Sequence, residues 1–155
     1  MQNQTENKKG FTVIEILIVI SVLGLLSLIT LGFFVDYRRS QGTTQDVELI
    51  SSLLYKARSD AVSSNGSSDY GVHFASSTAT TFKGTTYNAL DVNNQTFSLT
   101  SGNFLSIISL TSGGRDVVFN KLTGEAIQSG SLTLTDPDGG VKVITVYPTG
   151  LVQSL

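Results

Sequence analysis

The chain has 155 residues, with 10 Lys and Arg against 12 Asp and Glu for a formal net charge of -2, and it has no cysteine. That balance excludes the basic surface by which a small protein holds nucleic acid. The missing thiols exclude a disulfide framework, a thiolate metal site and a cysteine nucleophile, so one small domain must hold by packing alone.

The first ten residues, MQNQTENKKG, are polar, and residues 11–35, FTVIEILIVISVLGLLSLITLGFFV, are almost wholly apolar. From Ile16 to Val35 there is no formal charge, and about twenty helical residues span roughly 30 Å, the thickness of a bilayer's hydrocarbon core. A cleaved secretory signal would need a small-residue site of the A-x-A kind, and no alanine precedes Ala57. A plain membrane anchor fits the length but leaves Glu15 unexplained, because a carboxylate at the centre of a span costs about 2.5–3.5 kcal/mol. Lys8 and Lys9 before the segment and Arg38 and Arg39 after it give no bias that would orient it.

After Val35 the chain turns polar, yet Val47, Ile50, Leu53, Leu54, Ala57 and Ala61 recur at spacings of three and four. This predicts an amphipathic helix running to about Ser63, continuous with the apolar segment or restarting near Gly42, where Asp46 is available as an N-cap. Gly24 and Gly32 suit close helix packing in a membrane at least as well as hinges.

Beyond Asn65-Gly66-Ser67-Ser68 the period changes to two. Strands are predicted at Tyr70–Phe74, Thr78–Phe82, Gln95–Thr100, Phe104–Leu110, Asp116–Asn120, Ser131–Thr135 and Val141–Tyr147, with hairpins at TSGGRD and TDPDGGV. An amphipathic helix against several short antiparallel strands is an α+β arrangement. Residues 83–94 are the least patterned and read as a loop over the sheet, where variable binding surfaces often lie.

Candidate chemistry is sparse. His73, the single histidine, falls on an outward strand face without partners in a nearby motif. Asp136 and Asp138 in TDPDGG resemble a fragment of a calcium loop, but the full acidic pattern and its closing Glu are missing, and Pro137 with Gly139-Gly140 is better explained as a tight turn. There is no nucleophile elbow or phosphate-cradling loop. No enzyme activity and no cofactor or metal is expected.

The stretch KKGFTVIEILIVISVLGLL resembles the class III signal of type IV pilins and pseudopilins: lysines, a glycine, a phenylalanine, and a glutamate at the fifth position after the glycine. The resemblance implies that prepilin peptidase cuts after Gly10 on the cytoplasmic side and methylates the new amine of Phe11, with Glu15 as the assembly glutamate and Lys8 and Lys9 as the basic end of the leader. ARSDAVSSNG, DVVFNKLTGEAIQSGSLTLTD and VKVITVYPTGLVQSL further resemble the minor pseudopilin of type II secretion and its minor-pilin relatives. The implied organisation is a cleaved leader at 1–10, a transmembrane and polymerisation helix at 11–35, its amphipathic continuation at 36–65 and a β-rich domain at 66–155. The implied role is a structural subunit of a type II secretion pseudopilus or type IV pilus. It would cross the inner membrane once, with its C-terminal domain outside the cytoplasm in a periplasmic or cell-surface filament. Its partners would be prepilin peptidase, other subunits, the membrane and the inner-membrane assembly platform. A major pilin, or a membrane-tethered binding module, is the alternative.

Overall fold

The structure is a computed structural model that describes residues 10–100 and 102–155, together with their side chains apart from those of 28–40. One helix, α1, covers Val13–Val62, and the chain divides between Arg38 and Arg39 into two units.

In the N-terminal unit the helix starts at a cap. Thr12 Oγ1 accepts a hydrogen bond from the Glu15 N–H at 3.3 Å, and Thr12-Val13-Ile14-Glu15 has the residue order of a capping box. An acid in the first turn also complements the helix dipole. The hydroxyls of Ser21 and Ser27 donate to the Leu17 and Leu23 carbonyls at 2.8 Å, so neither leaves an unpaired polar group among apolar neighbours. Every large apolar side chain from Phe11 to Leu26 is exposed, on all sides of the helix. Among the described residues no helix is long and apolar enough to cross a membrane; the side chains of 28–35, the second part of the expected span, lie outside the described residues. So does Gly32, while Gly24 has open space around it.

The second unit, Arg39–Leu155, is the α+β domain that the change of period predicts. Its strands are β1 (Tyr70–Phe74), β2 (Thr78–Lys83), β3 (Gln95–Ser98), β4 (Phe104–Leu110), β5 (Asp116–Phe119), β6 (Gly130–Thr135), β7 (Val141–Val146) and β8 (Val152–Ser154). They form two antiparallel four-stranded sheets, in the orders β3-β2-β1-β5 and β4-β6-β7-β8. All six apolar positions of the helical stripe, Val47 to Ala61, are buried. They share one core with Val72, Phe74, Val117 and Phe119 of the first sheet and Leu132, Leu134, Ile144 and Val146 of the second. Each of the Val, Leu, Ile and Phe side chains among them contributes roughly 1.5–3 kcal/mol on burial, which is why a three-four spacing on α1 and alternation on the strands suffice to specify the packing.

The structure corrects or completes the reading at three points. TDPDGGV closes the β6–β7 hairpin, but TSGGRD does not close one: β4 pairs with β6, and β5 crosses to the first sheet beside β1. Turn chemistry fixes that the chain reverses, while burial of Val117 and Phe119 decides which strand β5 joins. Second, of the two courses left open at Gly42 the structure has the continuous one, α1 running through with no restart, and Asp46 is not a cap. Its buried carboxylate accepts from Thr100 N–H and Oγ1 at 3.0 and 2.9 Å and from Asn103 Nδ2 at 2.7 Å. Gly42 is small because a Cβ there would come within 3.0 Å of the Thr100 side chain. Third, β8 was not anticipated, since three residues are too few to display a period.

Candidate functional site

Chemistry-bearing residues gather in two places. At the N-terminal end Gly10 and Phe11 are exposed and precede the helix, and Glu15 is exposed in its first turn, four positions after Phe11. Because α1 starts at Val13, the four-residue spacing from Phe11 to Glu15 crosses the helix start and does not by itself put the two on one helix face. Lys8 and Lys9 lie outside the described residues. The Thr12 cap was legible in the Thr-x-x-Glu order, and the bond it makes is to the backbone N–H of Glu15.

The second place is the outer face of the first sheet. Register sets His73 directly opposite Asp116 on β5 and Thr80 on β2. His73 Nδ1 lies 2.6 Å from Asp116 Oδ1, both side chains being about a quarter to a third exposed. The Tyr87 ring stacks on the imidazole at 4.0 Å and 6°, and meets Phe82 edge-on at 5.6 Å. Phe82 lies across Gly71, where a Cβ would come within 2.6 Å of its ring. The β2–β3 connection is therefore folded over the sheet, as expected for residues 83–94, and the histidine does have partners. No local motif could reveal them, because β1 and β5 are far apart in sequence.

That connection is tightly bonded within itself. Asn88 Oδ1 accepts from the Leu90 N–H at 3.1 Å, Asp91 Oδ1 accepts from Asn93 N–H and Nδ2 at 2.9 and 2.8 Å, and Asn94 Nδ2 donates to the Asn88 carbonyl at 2.7 Å. The Asn93 backbone N–H, then its side-chain amide and the charge of Lys83, hold the Asp91 carboxyl below its ordinary value. In the β6–β7 turn Asp136 Oδ1 accepts from Asp138 N–H at 2.9 Å and Gly140 N–H at 2.8 Å, so that oxygen serves the turn. Among the described residues no group of three or more His, Asp or Glu is placed to hold a metal ion.

Residues 6–31 match the model of the Prokaryotic N-terminal methylation motif, a range that contains Lys8, Lys9, Gly10, Phe11 and Glu15. Residues 46–150 match that of the Type II transport protein GspH. The chain belongs to this GspH family. No curated protein and no solved structure matches it. It is a pseudopilin subunit of a type II secretion or pilus-like filament, in a family of structural subunits rather than enzymes. Membership implies association with other pilin-type subunits and processing by prepilin peptidase. The GspH match runs from Asp46, at the start of the buried stripe of α1, to Gly150, at the turn before β8. It thus coincides with the packed part of the chain. Inside it, Arg58 Nε donates to the Gly124 carbonyl at 3.1 Å, tying α1 to the loop after β5.

Proposed function

We propose that this pseudopilin is made with a leader at residues 1–10, is cut after Gly10 and methylated on Phe11, and enters the filament as a minor subunit through α1. In this reading residues 11–35 cross the cytoplasmic membrane once, with the leader and its Lys8 and Lys9 on the cytoplasmic side. Residues 36–65 continue the helix, and the domain at 66–155 lies outside the cytoplasm.

The observation that carries the reading is Glu15, the single charged residue between Phe11 and Val35, exposed one turn into a helix whose surface there is apolar on every side. Cleavage after Gly10 would create an α-amine with a reference pKa near 7.7–8, four residues before the Glu15 carboxylate. A subunit that leaves the bilayer for a bundle of such helices exchanges an unpaired charge for one paired with a neighbour's amine, which favours assembly and fixes axial register.

Processing is tested by mass spectrometry of the native protein. Loss of residues 1–10 and one added methyl on Phe11 are expected; an intact Met1 in assembled material would overturn the reading.

A further inference from the structure

We propose that the open edge of β4 is a strand-addition site for a different pilin-type subunit, which lays an extended, uncharged segment along residues 106–110 as a fifth strand of the second sheet. The inference rests on the filament reading above, in which a minor subunit has unlike chains as neighbours, and it adds a contact outside the N-terminal helix.

β4 is the longest strand described and closes one end of the order β4-β6-β7-β8. Its hydrogen bonds tell which groups face outward. Thr111 N–H donates to the Ser129 carbonyl at 2.9 Å, on the β6 side, while Leu105 N–H turns the other way and donates to the Ser76 carbonyl at 2.8 Å. The register shift between Leu105 and Ile107, with Ser106 as the extra residue, reconciles the two directions. Alternation back from Thr111 then aims the N–H and C=O of Ile108 and the N–H of Leu110 away from β6. No strand among the described residues pairs with β4 on that side. The Leu110 carbonyl is already taken by Gly113 N–H at 2.9 Å.

The other three sheet edges are blunted. Val118 of β5 donates its N–H to Gln128 Oε1 at 2.9 Å and accepts from Ile127 N–H at 2.8 Å. β8 has three residues, and the Tyr55 hydroxyl donates to its Val152 carbonyl at 2.7 Å. β3 has only four residues. β4 has no such protection beyond its bulge. No charged residue lies between Asp91 and Arg115, so this edge also lacks the lysines and acids that ordinarily keep an open strand from pairing. Phe104 and Ile107 are 41% and 58% exposed along it.

These features specify the occupant. Outward N–H and C=O groups spaced along a strand are matched by another extended backbone. With Ile107 and Phe104 beside it, the side chains that segment presents are apolar or β-branched rather than charged. The open backbone groups are few, too few to hold a free protein by themselves. A neighbour already held in the filament by its own N-terminal helix is present at an effective concentration on the order of millimolar, where a few backbone hydrogen bonds and one apolar contact suffice. Association with other pilin-type subunits, which membership of the family implies, supplies such a tethered neighbour, and for a minor subunit that neighbour is a different chain.

The test uses the full-length chain in cells that assemble the filament, with the photoreactive residue benzoylphenylalanine in place of Ile107. Irradiation should link it to a different chain whose own N-terminus carries the methylation motif, identified by mass spectrometry of the adduct. Ile108→Pro removes the outward N–H, and Ser109→Lys sets a charge on the edge at an exposed position that the core does not use. Each should lower the adduct yield several-fold, whereas Ser109→Thr, uncharged and suited to a strand, should keep it. No adduct, an adduct only with a second copy of this chain or only with a protein lacking the motif, or equal yields from Ser109→Lys and Ser109→Thr would each overturn the proposal. Leader removal and the Phe11 methyl are read by mass in the same samples. Where both are present, a failed cross-link counts against β4 and leaves the filament reading standing; an intact Met1 in assembled material overturns that reading and this contact with it.

Discussion

The two ends of α1 use apolar residues in opposite ways. Between Val47 and Ala61 they recur at spacings of three and four and are all buried by the two sheets. Between Phe11 and Leu26 they occupy nearly every position and are all exposed. A stripe is the signature of a helix that finds its partner in its own chain, and a helix apolar all round needs an apolar environment that its own chain does not supply. One helix thus serves two environments, and the pattern of its side chains tells them apart.

The sharpest way to break this contrast is to truncate one leucine from each end. Leu54 is fully buried, so Leu54→Ala should lower the stability of the folded unit by about 3 kcal/mol. Leu23→Ala should leave it within about 0.5 kcal/mol of wild type. Thermal unfolding of the full chain in detergent, followed by near-ultraviolet circular dichroism, measures both. Equal effects would dissolve the distinction.

A smaller effect is expected at Asp46, where the helix meets the β3–β4 connection through polar groups. Asp46→Ala leaves the Thr100 N–H and the Asn103 amide without their acceptor, at a cost of about 2 kcal/mol. Asp46→Asn should recover part of this, because one oxygen remains. Chemical denaturation at neutral pH gives the comparison, and an alanine variant as stable as wild type would show that water replaces the carboxylate.

The smallest effect belongs to the β2–β3 connection. Tyr87→Ala removes the stack on His73 and should cost about 1 kcal/mol, with faster proteolysis between Gly84 and Asn94 while the core is unaffected. Acid alone should not mimic it at pH 5. Asp91 has a folded-state value below 3.8, so its contribution is present above that pH and lost only as pH falls through the lowered value. Amide exchange of the Asn93 N–H, followed from pH 7 to pH 3, reads this directly.

The contrast was largely legible before any coordinates, because it lives in periodicity. The six buried positions of α1 and seven of the strands follow from spacing alone, to within one or two residues at their ends. What stayed hidden was long-range. The split into two sheets, the crossing of β5 to lie beside β1, and the His73–Asp116 pairing depend on which distant segments bury one another's apolar faces. Asp46 was misjudged for a related reason: a carboxylate near a helical glycine reads locally as a cap, and only the folded domain brings Thr100 and Asn103 to it. The leader motif was easy to read because its meaning lies in residue order rather than in tertiary contacts.

The central claim concerns Glu15, whose carboxylate stands exposed in the first turn while its backbone N–H is capped by Thr12. The Thr12 cap uses the backbone N–H of residue 15, so Glu15→Gln removes the charge at near-equal size, Glu15→Ala removes charge and side chain, and both keep the cap. The measurement is incorporation into sheared or cross-linked filaments, divided by abundance in the membrane, for wild type and the two variants. Both variants should insert at least as well as wild type, since either lowers the cost of burying the segment. Both should lose incorporation, because deleting one partner of a buried charge pair typically costs about 3–5 kcal/mol. Incorporation of Glu15→Gln at the wild-type level would contradict the account.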